Sequence, residues 1–164
     1  MKYLKLSLLF VFCFAFQIYA QKQLTGKVIG ITDGDTFKLL TQDSIQHQVR
    51  LANIDCPERK QAYYNNAKEF LSKAIFGKQV TINILKKDRY RRLIAVVWYD
   101  DGTKNVNQEL VVNGLAWHFV TYSNDKTLQA LEDTARKRKV GLWQDPYAIA
   151  PWEWRNSKKK KSKL

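Results

Sequence analysis

Cysteine is almost missing from this 164-residue chain, which has two, Cys13 and Cys56. Cys13 falls within "MKYLKLSLLFVFCFAFQIYA", and that stretch reads as a signal peptide spanning residues 1–20. Lys2 and Lys5 make its positive start, Leu6 to Phe16 its apolar run, and Ala20 the small residue before a cut at Gln21. The run is shorter than the roughly 20 apolar residues a spanning helix needs, so an uncleaved anchor is the weaker alternative. Phe12, next to Cys13, stands where a lipoprotein needs a small residue. An exported protein, periplasmic or extracellular, is expected, with no stable membrane span after cleavage. Cys56 is then its sole thiol, which excludes an internal disulfide, a disulfide framework and a C-x-x-C metal site. With 3 prolines and 7 glycines, the chain also shows no linker and no internal repeat between Gln21 and Trp154. A single domain over 21–156, stable through its core alone, follows, and a monomer is expected.

Acidic residues are scarce as well: 15 against 28 lysines and arginines, a net charge of +13. Loss of the two signal lysines lowers this to +11, and the five lysines of "SKKKKSKL" account for all but +6 of the rest. Residues 157–164 are expected to be a disordered basic tail that adds nonspecific attraction to phosphates. The domain itself remains basic, which suits nucleic acid, anionic lipid or another acidic polymer.

The chain reads as β-rich first and helical later. "QLTGKVIGI", "TFKLLT" and "IQHQVRLANI" are strand-like, the last with Ile45, His47, Val49 and Leu51 in alternation. After Pro57 the period changes: Ala67, Phe70, Leu71, Ala74 and Ile75 form one helical face, stopped by Gly77. "QVTINIL" and "RLIAVVWY" add two strands. "NQELVVNG" is a short helix, and a third helix runs from a cap at Asn124/Asp125 towards Gly141. Five strands with a helix after the third predict a mainly β, α+β fold, a five-stranded OB-type barrel with about three packed helices.

Against this basic background, "ITDGDTF" concentrates Asp33 and Asp35 around one glycine. Alone, it reads equally as a surface turn. "VRLANIDCPERK" adds Arg50, Asp55 and Glu58, and "DRYRRLIAVV" adds further arginines. Asp35 and Asp55 offer hard oxygen ligands suited to calcium or magnesium, which could bind a phosphate oxygen and act as a Lewis acid. The arginines could hold the remaining phosphate oxygens, and Glu58 could take a proton from attacking water.

"DGDTF", "RLANIDCPE", "DRYRR" and "NQELVVNGLA" resemble, in order and spacing, the motifs of the staphylococcal nuclease (thermonuclease) family; "GLW" and "PWEWR" look like those of its secreted bacterial members. The resemblance covers roughly Lys27 to Trp143. It implies an OB-fold, calcium-dependent endonuclease, a phosphodiesterase holding one Ca2+ per domain and cutting DNA and RNA to leave 3′-phosphates. On this likeness Asp35, Asp55 and the Cys56 backbone carbonyl match metal ligands. Asp33 matches a carboxylate just beyond them and Thr36 a threonine beside the site. Glu58 matches the general base, and Arg50 and Arg92 the phosphate-binding arginines. Arg89 and Tyr90 match residues near the terminal phosphate, and Tyr122 more loosely an aromatic against a base.

Three departures stand out. Cys56 replaces the usual threonine, Arg91 the usual glycine, and the loop after the glutamate is short. A positive φ at Arg91 would cost about 1–2 kcal/mol. Arg50 and Asp55 are an odd number of residues apart, so a regular strand would turn them to opposite faces; a distortion near Asn53 is therefore predicted. His47 and His118 are read as structural, and most tyrosines as packing. Trp143, Trp152 and Trp154 are read as pinning the C-terminal segment. The alternatives are a non-catalytic OB-type nucleic-acid binder, which has no need of the carboxylates, and a secreted surface-binding protein using its lysine tail.

Overall fold

The computed structural model describes residues 22–161, so the expected signal peptide and residues 162–164 lie outside it. Three strands come first, β1 (Lys22–Ile31), β2 (Thr36–Thr41) and β3 (Gln46–Leu51), followed by the two-residue β4 (Ile54–Asp55) and helix α1 (Tyr64–Ile75). Strands β5 (Gln79–Lys87) and β6 (Leu93–Tyr99) supply the remaining barrel strands, in the order β3-β2-β1-β5-β6, and the short segment Lys104–Asn105 adds to the sheet beside β6. Parallel pairing of β3 with β6, through Val49–Leu93, Arg50–Ile94 and Leu51–Ala95, closes it into the expected five-stranded OB barrel. Bulges in β1 between Val28 and Gly30, and in β5 between Ile84 and Lys86, supply the local coiling that closure requires.

Period-2 patterning shows directly in β6, where Leu93, Ala95, Val97 and Tyr99 are buried and the residues between them are not. Val28, Phe37, Leu39, Val49, Leu51 and Ile82 fill the barrel. Helix α1 lays Ala67, Leu71, Ala74 and Ile75 against this core, as the sequence pattern predicts. Past β7 (Lys104–Asn105) comes α2 (Val106–Val112), where the Asn105 side chain accepts the Gln108 N–H. β8 (Trp117–His118) pairs with β4, and α3 (Lys126–Lys137) follows. The predicted cap holds: Asp125 accepts the N–H groups of Thr127 and Leu128.

Two features differ from expectation. A fourth helix, α4, spans Pro151–Lys161, so residues 157–161 of the expected disordered tail are helical. Proline at the first helical position, Glu153 in the first turn and lysines towards the end all suit a helix and its dipole. The segment is also docked: Trp152 stacks on Phe119 at 5.1 Å and meets Trp117 edge-on at 5.8 Å. The second feature is a small aromatic core of its own, around Trp117, Trp143 and Ala150. Arg136, paired with buried Glu132, lies 3.6 Å from the Trp143 ring centroid. Gly114 and Gly141 let backbones meet there, because a Cβ on Gly114 would stand 2.2 Å from the Val140 carbonyl oxygen.

The predicted distortion occurs between β3 and β4. Asn53 has φ 64°, a conformation asparagine tolerates better than most residues. The bend is held on both sides. Asn107 Nδ2 donates to the Ala52 carbonyl at 2.9 Å, the Ala52 N–H to Ala95 at 2.8 Å, and the Phe119 N–H to Asn53 at 2.9 Å. It returns Asp55 to the side of the chain on which Arg50 lies.

Candidate active site

The carboxylates collect at one end of the barrel, where the β1–β2 turn meets the bend after β3. The Leu51 N–H donates to the Asp35 carbonyl at 2.8 Å, which ties the two segments together. Gly34 is required by close approach: a Cβ there would stand 2.8 Å from Ala67 Cβ and 2.9 Å from Cys56 Cβ. Asp33 Oδ1 accepts the Asp35 N–H at 3.1 Å, so the DGD turn has both a local purpose and a chemical one.

Arg50 organises the cluster. Its Nη2 lies 3.0 Å from Asp35 Oδ2 and 2.6 Å from Asp55 Oδ1, while Nη1 donates to the carbonyls of Leu51 and Ile54 at 3.2 Å. The Thr36 hydroxyl donates to Asp35 Oδ1 at 2.9 Å, and the Cys56 N–H points at Asp35 Oδ2 at 3.3 Å. The Cys56 thiol reaches the Gly34 carbonyl at 3.2 Å, and burial pushes its pKa well up, so it sits as a neutral thiol. Burial, then repulsion from Asp35, raises the Asp33 pKa to about 6. Asp55 is raised by burial and by Asp35 against the pull of its arginines.

Asp35, Asp55 and Glu58 pair with the guanidiniums of Arg50 and Arg155, and Asp33 stands beside Asp35, so the four carboxylates outnumber the two guanidiniums by two charges when all are ionised. That is the complement of one divalent cation. Among the described residues no three His, Cys, Asp or Glu side chains are gathered as a ligand set. The fit is therefore two carboxylates completed by backbone and phosphate oxygens. A single nitrogen of Arg50 already touches both Asp35 and Asp55, so the two lie within reach of one hard cation.

The remaining predicted residues stand apart. Asp88 organises the β5–β6 turn, accepting the N–H groups of Tyr90 and Arg92 at 2.9 Å and the Arg92 Nε–H at 2.8 Å. Arg92 immediately precedes Leu93, the strand partner of Val49, and so belongs to the same barrel end as Arg50. Its guanidinium is nevertheless paired with Asp88 rather than with the cluster. Tyr90 is exposed, with the Arg89 and Arg92 guanidiniums 4.9 and 5.6 Å from its ring centroid. Tyr122 is exposed too, packed edge-on against Phe119 with Lys86 over its ring. His118 is structural as read: its ring nitrogens meet Gln129 and Ser123 at 3.0 Å.

Sequence reasoning missed Arg155. This α4 residue lies 2.6 Å from Glu58 Oε1 and 2.8 Å from Asp55 Oδ2. The signal was there in "PWEWR", where one arginine follows the helix's tryptophans before the lysines begin.

Residues 48–145 match the family described as staphylococcal nuclease homologue. The chain is 38% identical over 158 residues to an uncharacterized endonuclease of Haemophilus influenzae, covering 96% of this chain and 87% of that protein. It is 36% identical over 143 residues to a micrococcal nuclease of Shigella flexneri, covering 82% of each. A staphylococcal-like nuclease of Arabidopsis thaliana shares 38% over 112 residues, 68% of this chain and 34% of the plant protein. With an OB barrel carrying paired buried aspartates, a glutamate and an arginine at one mouth, this chain belongs to the staphylococcal nuclease family.

Proposed function

We propose that this protein is an exported, calcium-dependent endonuclease that hydrolyses DNA and RNA to leave 3′-phosphates. The observation carrying the reading is the pair of buried carboxylates, Asp35 and Asp55, bridged by Arg50 with Glu58 alongside. The relatives named as nucleases and the basic surface support it. A divalent cation held by Asp35, Asp55 and the Cys56 carbonyl would supply Lewis-acid polarisation of a phosphoryl oxygen. The protein's own groups do the rest. Glu58 accepts a proton from the attacking water as its oxygen bonds to phosphorus. Arg50, held from both sides by carboxylates and carbonyls, offers its N–H groups to the charge that builds on the phosphoryl oxygens. Arg92 joins it by turning from Asp88. The bond to the 5′-oxygen breaks, and that oxygen leaves with a proton from an arginine or from water.

The test is cleavage of single-stranded DNA with calcium and then with a chelator. Calcium-dependent cutting with 3′-phosphate ends is expected. Tight binding without cutting in calcium, magnesium or manganese would mark a non-catalytic binder instead. Export is checked by locating the activity, which should be in the periplasm or medium.

A further inference from the structure

That reaction uses Glu58 but leaves Arg155 without a task. Arg155 Nη1 lies 2.6 Å from Glu58 Oε1 and 3.3 Å from Asp55 Oδ1, and Nη2 lies 2.8 Å from Asp55 Oδ2. One planar guanidinium thus ties a fully buried carboxylate to a glutamate whose side chain is 37% exposed. Glu58 sits on the turn after Pro57, outside any strand or helix. Among the described residues, Arg155 is the cation that pairs with it.

The C-terminal segment grips the same turn a second time. The Glu58 N–H donates to Gln61 Oε1 at 2.7 Å, and Gln61 Nε2 donates to the Ile149 carbonyl at 3.0 Å. Backbone and side chain of Glu58 are therefore both referred to residues 149–155. The reach of Arg155 is set by Trp152, three positions earlier on the same face of α4. Trp152 packs on Phe119 and Trp117, and Trp117 is the β-partner of Asp55. The arm is thus anchored to the strand pair that carries Asp55.

We infer that Arg155 is a positioning residue for the hydrolysis, holding the Glu58 carboxylate in fixed relation to Asp55. With Oε1 engaged by Arg155, Oε2 is the oxygen that takes the proton from water. The task needs a forked, planar cation, because two carboxylates are held by one group; a lysine keeps the charge without the fork. The arrangement has a second consequence. A fixed positive charge beside Asp55 opposes cation binding at the same carboxylate, so Arg155 speeds the reaction while weakening the hold on the metal. The inference rests on the nuclease reading above.

The test uses protein expressed from the full-length chain, with calcium alone as the binding probe and single-stranded DNA as substrate. Arg155→Ala should lower kcat about 10- to 100-fold with KM within about 3-fold, part of what a general base contributes. Calcium affinity by calorimetry should rise a few-fold, and Arg155→Lys should recover part of the rate. In a Glu58→Gln background, Arg155→Ala should cost no more than about 2-fold further, because residues acting as a unit are non-additive. Losses in the double variant that multiply would overturn the inference. So would calcium affinity falling together with rate and stability, which is the signature of a merely structural anchor. A rate that rises in Arg155→Ala would also overturn it, making Arg155 a plug. Wild-type protein that binds calcium but does not cut would overturn the nuclease reading and this inference with it.

Discussion

Arg50 and Arg92 answer to the same description in sequence, a phosphate-facing arginine beside a strand, yet the fold treats them oppositely. Arg50 is built into the barrel, its guanidinium shared between two buried carboxylates and two backbone carbonyls. Arg92 stands on a turn, paired with the aspartate that shapes that turn. One half of the site is preorganised and structural; the other, on the function proposed above, is poised and must exchange a partner to act. An arginine that neutralises buried acids cannot be removed without exposing the fold to their charge, whereas an arginine on a turn can.

The largest effect expected from this contrast is at Arg50. Arg50→Ala takes the paired cation from buried Asp35, while Asp55 keeps Arg155, and should cost about 3–5 kcal/mol of stability, the usual penalty for leaving buried charge unpaired. Cleavage should be lost with it, and denaturant unfolding monitored alongside activity will show both losses together. Arg92→Ala should separate them. Its kcat should fall about 10²–10³-fold, as for loss of a donor to transition-state charge. Its unfolding free energy should stay within about 1 kcal/mol, because the half-buried Asp88 pair lies on a turn and Asp88 keeps its backbone N–H partners there. If Arg92→Ala unfolds as readily as Arg50→Ala, the division into a built and a poised half is wrong.

Much of this was legible in the chain. Five strands and three helices follow from period and turn chemistry, and the bend at Asn53 follows from the odd separation of Arg50 and Asp55. That argument needs no structure, because side-chain parity along a strand is a local rule. What could not be read was long-range. Arg155 lies 97 residues from Glu58, and only the packing of Trp152 on Phe119 brings it there. The helical start of the supposed tail was hidden for a related reason: a lysine run reads as solvated until its neighbours are seen to dock. The partner of Arg92 was nearer to hand, since Asp88 lies four residues before it.

A smaller effect sharpens the electrostatics of the built half. Without divalent cation, Asp33 has its pKa raised to about 6 by burial and by Asp35, above the ordinary carboxylate value. The folded state then holds a proton more tightly than the unfolded state. Stability should accordingly fall as pH rises from about 4 to 6 and remain lowered at neutral pH. Asp33→Asn keeps the side-chain oxygen that accepts the Asp35 N–H and removes the charge. It should raise cation-free stability at pH 7 by about 1–3 kcal/mol and flatten the profile between pH 4 and 7. Urea titrations at a series of pH values test this. An unchanged slope would mean that another raised carboxyl of the cluster, Asp55, takes up the proton instead of Asp33.

The smallest effect lies in the poised half. Arg91 has φ 65° in the turn that Asp88 organises, and its N–H donates to the Asp88 carbonyl at 3.0 Å. The left-handed conformation costs a residue with a Cβ about 1–2 kcal/mol, and glycine escapes it. Arg91→Gly relieves that strain but loosens the unfolded chain, so the net gain should be near 1 kcal/mol in thermal unfolding. Cleavage should stay within about 2-fold, because Asp88 still sets the turn and Arg92 keeps its backbone and side-chain bonds to it. A larger loss of activity at unchanged or raised stability would give Arg91 a different meaning. It would then be a third phosphate contact, retained in spite of its strain, and the poised half of the site would hold two arginines rather than one.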